Sequence, residues 1–183
     1  MSLTIWTIGH STRALDEFLT LLSAHRIQHL VDVRRYPFSR RYPHFNGDLL
    51  AASLLNAGVA YTHMPELGGR RKARPDSVNL GWKNESFRGY ADYMETEEFQ
   101  RAVEELMAYG TDRRTAIVCA EAVPWRCHRQ LIADALVARG WTVRHILGPD
   151  RADVHRLTTF AAIDHGQITY PHLPADADSL RLF

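Results

Sequence analysis

Both cysteines of the chain lie in one short segment that is rich in other reactive side chains. The segment Ile117–Arg129 reads I-V-C-A-E-A-V-P-W-R-C-H-R and joins an apolar, strand-like run to an amphipathic, helix-like run. Such turns at the carboxyl edge of a parallel sheet carry the reactive groups of α/β proteins. The free N–H groups and positive dipole end of the helix would stabilise a thiolate or a bound anion. The segment therefore predicts a cysteine-centred or anion-binding site.

Cys127 is the better candidate for a reactive thiol. It lies between Arg126 and His128-Arg129 at the predicted start of a helix, and each of these features lowers a thiol pKa. A thiol of this kind is a nucleophile or sulfur carrier at neutral pH. Cys119 follows apolar neighbours, so burial as a small hydrophobic side chain is an equally good interpretation for it.

Three side chains could move protons at this edge of the sheet. They are His10, which follows the first apolar run, Glu121, inside the cysteine loop, and His128. For the G-H-S-T motif around His10, the simpler alternative is that Ser11 or Thr12 only satisfies the loop and the start of the next helix.

A basic, aromatic-rich segment offers a surface for an anion. Between Arg34 and Tyr90, ten Lys/Arg oppose four Asp/Glu, although the formal net charge of the whole chain is only +1. Alternating cations and aromatic rings suit phosphate contact and base stacking, and a solvated charged face is the alternative. The candidate substrate- or anion-binding residues are Ser11, Asp32, Arg34, Arg41, Asn46, Arg70, Trp125, Arg126 and Arg129.

Asp32 and Arg34 form a second candidate pair. They flank Val33 in an apolar run and so share one face of the predicted strand. A partly buried ion pair is the simpler interpretation, and orientation of a substrate is the sharper one.

Two other uses of the cysteines are open. A metal site could gather Cys119, Cys127 and His128 with His10, His44 or His63, but the closely spaced ligand pairs of zinc sites are missing, so we expect no metal or other cofactor. A Cys119–Cys127 redox couple would be unusual in a reducing compartment.

Composition indicates one soluble globular domain. The chain has 183 residues, of which 45% are hydrophobic and 23% charged. No apolar run approaches the about 20 residues of a membrane span, and the N-terminus lacks a signal-peptide pattern. With only two cysteines there is no disulfide framework, so we expect a cytoplasmic location and no membrane contact.

Alternating strand and helix patterns would position these residues. Apolar runs predict strands over residues 3–8, 30–33, 59–63, 115–119 and 142–147. Helical spacing predicts helices over residues 15–22, 48–56, 90–94, 97–110 and 131–139. The alternation predicts a single α/β domain with a mostly parallel sheet between helices, Rossmann-like or rhodanese-like in its layering. The long basic loops, including an ordered excursion over residues 65–88, would lie at the carboxyl edge.

The C-terminal part is predicted to be an extension. We expect residues 1–148 to form the α/β domain and residues 149–183 to pack on it or to be partly flexible. Within the extension, a helix over residues 153–163, a short strand over residues 167–170 and a final tail are expected.

Five motifs occur in a recognisable order. They are T-I-G-H-S-T-R, V-D-V-R-R-Y-P-F-S-R-R-Y-P-H-F-N, P-E-L-G-G-R-R, N-E-S-F-R-G-Y-A-D-Y-M and C-A-E-A-V-P-W-R-C-H-R-Q-L-I-A-D-A-L. Together they resemble the bacterial domain of unknown function family 488 over residues 4–148. The resemblance implies no activity, because the family is defined without an established one. Its motifs fall on the site residues singled out above.

The observations together predict a cysteine-dependent transferase or hydrolase. Its substrate would be an anionic, phosphate-bearing compound, either a nucleotide or a nucleic acid, bound in a basic pocket. The alternative is a non-catalytic nucleic-acid-binding module with structural cysteines, whose binding would weaken steeply with salt.

Overall fold

The computed structural model describes residues 3–172 as an α/β fold built on a six-stranded sheet. The strands of this sheet are β1 (Thr4–Gly9), β2 (His29–Asp32), β3 (Ala60–His63), β4 (Thr115–Cys119), β5 (Thr142–Gly148) and β6 (Arg151–Val154). The helices are α1 (Leu15–Ala24), α2 (Gly47–Asn56), α3 (Glu85–Met94), α4 (Glu97–Asp112) and α5 (Arg129–Val137). A separate hairpin is formed by β7 (Ala162–Asp164) and β8 (Gln167–Thr169).

The sheet has the strand order β3-β2-β4-β1-β5-β6. The first five strands are parallel, and β6 runs antiparallel to β5. The central strands β1 and β4 end side by side, with Gly9 opposite Cys119. The predicted α/β architecture with a mostly parallel sheet is therefore confirmed, and its switch point, where such folds bind ligands, lies at these two strand ends.

Helices cover both faces of the sheet. Phe18 and Leu22 of α1 and Leu50 of α2 pack in one core cluster. The other cluster holds α3, α4 and α5, with strand residues such as Ile117 and Cys119. Because side chains alternate along a strand, Cys119 points to the α5 side of the sheet.

Capping residues set the helix boundaries. Thr96 Oγ1 accepts the N–H of Phe99, which confirms the predicted N-cap of α4. Asn84 caps α3 in the same way by accepting the N–H groups of Ser86 and Phe87. For this reason α3 begins before residue 90, where the apolar spacing alone placed its start.

The excursion over residues 65–88 is ordered by buried polar contacts. Asp92 accepts hydrogen bonds from the Arg74 backbone, Ser77 and Asn79. These contacts hold residues 74–79 against α3, and the parts that line a cleft are the Gly69-Arg70 corner and, at the start of α3, Ser86 and Phe87. The substrate-facing role predicted for the whole excursion is thus confined to a part of it.

The helix predicted over residues 153–163 is wrong. Residues 151–154 form β6, which pairs with the open edge of β5, and Asp153 lies opposite His145. The extended backbone then carries His155 into the interior, where its Nε2 lies 2.7 Å from Asp134 Oδ1. The strand predicted over residues 167–170 is present as β8, and most of the predicted tail lies outside residues 3–172.

No helix in the described part of the chain is both long and apolar enough to cross a membrane.

Candidate active site

A cleft of about 690 Å³ opens at the carboxyl ends of the central strands. Its walls come from residues 10–12 after β1, residues 34–42 after β2, and residues 119–128 between β4 and α5. The Gly69-Arg70 corner and the first turns of α3 close the remaining side. The cleft is therefore built by the loops that the sequence predicted to carry chemistry.

The two cysteines form a contacting pair at the floor of this cleft. Their Sγ atoms lie 2.6 Å apart, and only 2% of Cys119 and 5% of Cys127 is exposed. The loop between them passes directly over Gly9, where an added Cβ would lie 1.8 Å from the Glu121 carbonyl oxygen. Glycine in the G-H-S-T motif is thus needed for the loop to bring the two thiols together.

Arg129 lies behind the pair with only 1% of its surface exposed. Its Nε donates to Cys119 Sγ at 2.9 Å, its Nη2 donates to the Glu121 carbonyl at 2.5 Å, and its backbone N–H donates to Cys127 Sγ at 3.4 Å. No carboxylate in residues 3–172 forms an ion pair with this guanidinium. A buried cation without a counter-charge is costly, so the contacts of Arg129 favour a thiolate in the sulfur pair.

The surroundings of the pair favour a thiolate on Cys127 over one on Cys119. Burial raises the pKa of the Cys127 thiol, but the hydrogen bond from Cys119 and the charges of His128 and Arg129 outweigh burial and hold that pKa well below its usual range. Burial and the neighbouring Cys127 raise the pKa of Cys119 well above the usual range. This asymmetry favours Cys119 as the donor and Cys127 as the acceptor in the contact between the two sulfurs.

His128 is oriented as a proton carrier for Cys127. Its Nε2 lies 2.9 Å from the Val33 carbonyl, and because a carbonyl only accepts, Nε2 carries a proton. Its Nδ1 faces Cys127 Sγ at 3.5 Å and so accepts the thiol proton or returns it. Gly69 packs on the ring, where an added Cβ would lie 3.1 Å from Nδ1. Thiol, imidazole and orienting carbonyl thus have the relative positions that thiol activation would require.

A chain of hydrogen bonds runs from Arg129 away from the cleft. Arg129 Nη1 lies 3.3 Å from Thr7 Oγ1, and Thr7 Oγ1 lies 2.7 Å from His145 Nδ1. On the other side of the ring, His145 Nε2 lies 2.9 Å from His155 Nδ1. The chain ends where His155 Nε2 lies 2.7 Å from Asp134 Oδ1. Asp134 also accepts three further hydrogen bonds, two from Thr158 and one from the Tyr170 hydroxyl.

The direction is fixed at the two ends of this chain. Arginine only donates and a carboxylate only accepts, so Arg129 donates to Thr7 and His155 donates from Nε2 to Asp134. Between them, burial lowers the pKa of His145 to about 3, so the His145 ring is neutral at physiological pH. Because Arg129 does not release a proton, the chain orients its guanidinium and does not conduct protons.

His10 lines the cleft but has both ring nitrogens engaged. Its Nδ1 lies 3.0 Å from the Ser11 carbonyl and carries a proton, and its Nε2 faces Arg34 Nη1 at 3.3 Å. The ring stacks on Phe45 with a centroid distance of 4.4 Å. Burial lowers the pKa of His10 to about 4, so the ring is neutral at physiological pH. The acid–base role predicted for His10 requires Arg34 to release Nε2.

Asp32 and Arg34 form a buried ion pair beside the cleft. Arg34 Nη2 lies 2.6 Å from Asp32 Oδ2, and Arg34 Nε donates to Oδ1 at 2.9 Å. Tyr61 donates its hydroxyl to the same carboxylate at 2.8 Å. Arg34 reaches the cleft wall and Asp32 does not, so the simpler of the two interpretations describes the contact that these residues make.

Three other arginines give the cleft its positive charge. Arg35, Arg70 and Arg126 line it, and none of them has an ion-pair partner within residues 3–172. The guanidinium carbons of Arg35 and Arg70 each lie 5.9 Å from the ring centre of Tyr36. Tyr36 is 63% and Phe38 67% exposed. Cations and accessible aromatic rings thus stand together at the mouth of the cleft.

The structure divides the predicted site residues into three sets. Those that line the cleft are His10, Ser11, Arg34, Arg70, Cys119, Glu121, Arg126, Cys127 and His128. Those that act from behind it are Asp32, through Arg34, and Arg129, through the cysteines. Those that do not line it are Arg41, Asn46 and Trp125.

The residues outside the cleft have other surroundings. Arg41 lies on the Tyr42 ring at 5.6 Å, Asn46 accepts the Ser39 N–H at 2.7 Å and so fixes the loop after β2, and Trp125 is exposed. Within residues 3–172 no three His, Cys, Asp or Glu side chains are grouped to hold a metal ion.

Sequence reasoning missed the chain from Thr7 to Asp134 and the wall residue Tyr90. One signal for the chain was present, since Asp134 is a lone acid within the apolar run L-I-A-D-A-L-V, and a buried acid requires partners.

The comparisons with known proteins give one match. The family model described as "Domain of unknown function DUF488" matches residues 14–136, which is more than half of the chain and includes both cysteines. No curated protein and no solved structure matches the chain.

Proposed function

The chain belongs to the DUF488 family, and from the chemistry of its cleft we propose that it is a cysteine-dependent enzyme acting on an anionic, phosphate-bearing substrate, a nucleotide or nucleic acid. One observation carries the proposal. Buried Arg129 donates from its Nε to Cys119 Sγ and from its backbone N–H to Cys127 Sγ, and no carboxylate within residues 3–172 pairs with its guanidinium. A structural cysteine needs no such partner, whereas a nucleophilic thiolate does.

Each residue of the pair and its surroundings has a distinct role in the proposal. Cys127 is the nucleophile, and His128 Nδ1 takes up or returns its proton. The N–H of Arg129 at the start of α5 stabilises the thiolate. Glu121, which is exposed at the cleft, is the candidate for a second acid or base, because its carboxylate makes no ion pair within the described chain.

The cleft mouth supports the substrate class. Arg35, Arg70 and Arg126 offer guanidinium forks that suit phosphate oxygens. Tyr36 and Phe38 offer accessible rings on which a base can stack. A substrate with both phosphate and base would use both kinds of contact.

A non-catalytic nucleic-acid-binding module is the second candidate. It is favoured by Arg41 and Trp125, which are exposed outside the cleft and would add contacts to a longer strand. Under this candidate the cysteines contribute only to packing.

Ligand binding and cysteine dependence test the proposal together. We would titrate mononucleotides and single-stranded DNA and RNA by calorimetry at several salt concentrations, with Arg70→Ala as the cleft variant and Arg101→Ala as its control, because Arg101 is exposed on α4. We expect binding that weakens with salt, weakens about tenfold in Arg70→Ala, and is unchanged in Arg101→Ala.

The compounds that bind would then be incubated with wild-type and Cys127→Ser protein, and covalent adducts and products followed by mass spectrometry. Modification or turnover that depends on Cys127 supports the enzyme. Equal turnover by Cys127→Ser would remove the cysteine mechanism. Binding with neither adduct nor turnover would leave the binding module as the function.

A further inference from the structure

We propose that Cys119 is the resolving thiol of Cys127, so that the pair reduces a disulfide bond in an anionic compound and itself closes into a protein disulfide. The inference rests on the proposed function in that it takes Cys127 as the nucleophile. It names the electrophile as a sulfur atom. It also gives Cys119, which packing alone would explain as a core residue, a place in the reaction.

The first support is the contact of the two sulfurs. They lie 2.6 Å apart, and the chain has two cysteines, so each is the only thiol of the chain that the other can pair with. A disulfide has a sulfur–sulfur distance of about 2.05 Å, so its formation requires a movement of a fraction of an ångström. Stable disulfides are unusual in a reducing compartment, but transient catalytic ones occur there.

The second support is the asymmetry of the pair. Cys127 faces the His128 imidazole and the N-terminus of α5, which favour its thiolate. Cys119 is the more deeply buried of the two, which favours its protonated form, and it is kept in place by the Arg129 Nε. An attacking thiolate beside a protonated partner is the resting arrangement that a nucleophile and a resolving thiol need.

The third support is the counter-charge of Arg129. Once Cys127 has become part of a mixed disulfide it is neutral, and the buried guanidinium has lost its anion. Cys119 is then the remaining group that can supply a negative charge, and the Nε hydrogen bond at 2.9 Å is already formed. Formation of the mixed disulfide therefore favours ionisation of Cys119, which is the event that resolution requires.

The two steps balance. In the first, the Cys127 thiolate attacks R–S–S–R, a Cys127–S–S–R bond forms, and one R–S⁻ leaves. In the second, Cys119 loses its proton to solvent through the open cleft and attacks Cys127 Sγ, the Cys119–Cys127 bond forms, and a second R–S⁻ leaves. The two cysteines are oxidised, the substrate disulfide is reduced, and an external small thiol returns the protein to the dithiol.

The positive cleft selects for an anionic disulfide. Arg35, Arg70 and Arg126 stand between solvent and the sulfur pair without ion-pair partners in residues 3–172. A neutral disulfide of similar size gains nothing from these charges.

The experiment counts the thiolates released from an anionic aromatic disulfide, dithiobis-nitrobenzoate, added in one equivalent to the fully reduced protein. We expect wild-type protein to release two nitrothiobenzoates and to end as an internal disulfide without an adduct. Cys119→Ser should release one and retain the adduct on Cys127, and Cys127→Ser should react at least about tenfold more slowly. Circular dichroism and thermal unfolding show whether both variants are folded, with Cys119→Ala as a second variant.

A second experiment tests whether the cleft prefers an anionic disulfide to a neutral one. Neutral dithiodipyridine should react with the wild type more slowly than the anionic probe, and Arg70→Ala should reduce that preference while Arg101→Ala should not. A wild-type protein that stops at a stable Cys127 adduct would overturn the resolving role but would leave Cys127 as the nucleophile of the proposed function. Equal reactivity of wild-type and Cys127→Ser protein would overturn both.

Discussion

Arg129 Nε donates a hydrogen bond to Cys119 Sγ although both side chains are almost completely withdrawn from solvent. The same guanidinium also holds the Glu121 carbonyl, so one side chain fixes both the charge of the sulfur pair and the loop that covers it. If the cysteines react as proposed, their reactivity depends on a side chain beneath the cleft, that of the first residue of α5.

Alkylation of Cys127 should persist to lower pH than that of an ordinary thiol. Burial opposes this, but Cys119, His128 and Arg129 outweigh it and lower the pKa of Cys127. Peptide mass spectrometry of native protein alkylated across a pH series should show a Cys127 rate whose midpoint lies well below about 8.5. Cys119, whose pKa is raised, should react slowly throughout. Parallel titration of both thiols near the ordinary value would contradict the assignment.

Replacing Arg129 should change the reactivity of Cys127, which lies two positions before it in the chain. Arg129→Met removes the counter-charge, so Cys127 alkylation at neutral pH should slow about tenfold or more. Arg129→Lys keeps a charge but loses the guanidinium fork that joins Cys119 to the Glu121 carbonyl. Its rate of Cys127 alkylation should therefore lie between the rates of Arg129→Met and the wild type. Alkylation as fast in Arg129→Met as in the wild type would show that another group holds the thiolate.

Substitutions of Thr7 test the buried chain of hydrogen bonds behind Arg129. Thr7→Val preserves shape but leaves His145 Nδ1 and Arg129 Nη1 without their partner, so the free energy of unfolding should fall by about 1–3 kcal/mol. Thr7→Ser keeps the hydroxyl, so its free energy of unfolding should fall by less. Urea unfolding measures both, and the two variants should also differ in the rate of Cys127 alkylation. Equal stability of Thr7→Val and wild type would argue against the chain.

Asp32 should be important for stability rather than for direct ligand contact. Asp32→Asn removes the charge that compensates buried Arg34, and the free energy of unfolding should fall by about 3–5 kcal/mol. Tyr61→Phe removes one hydrogen bond to the same carboxylate and should cost about 1 kcal/mol. Denaturant titration compares them, and similar losses in the two variants would mean that the ion pair is not the main contributor.

Mild acid should destabilise the fold through its buried histidines. Burial lowers the pKa of His10 from 6.5 to about 4 and that of His145 to about 3, so in this range the unfolded chain binds protons that the folded chain does not. The free energy of unfolding should therefore decrease as the pH falls from 6.5 to about 4. His10→Asn should reduce that slope, whereas His165→Asn should not, because His165 is exposed.

Local patterns were sufficient to predict the layered fold. The apolar runs located the five parallel strands within one or two residues, and Thr96 was identified as an N-cap from its type and position alone. The segment after Pro149 was not predictable in this way. Whether residues 151–154 form a strand depends on the free edge of β5, which is a tertiary property.

In the site too, local features were predictable from the sequence and long-range contacts were not. The spacing of Cys119, Cys127 and His128 placed them in one loop, and the structure brings all three to the cleft. The contact between Thr7 and His145 joins residues 138 positions apart. No local pattern encodes such a contact, so these two residues were not recognised as part of the site.

The position of β4 between β1 and β2 has a consequence for how the molecule is assembled. A chain in the course of synthesis, released as far as Asp112 at the end of α4, has both neighbours of β4 but a gap one strand wide between them. Pairing of residues 115–119 with both neighbours fills this gap and places Cys119 opposite Gly9. Cys127 and Arg129 follow later in the chain, so the thiol pair and the guanidinium beneath it require the start of α5 and are absent from the shorter nascent chain.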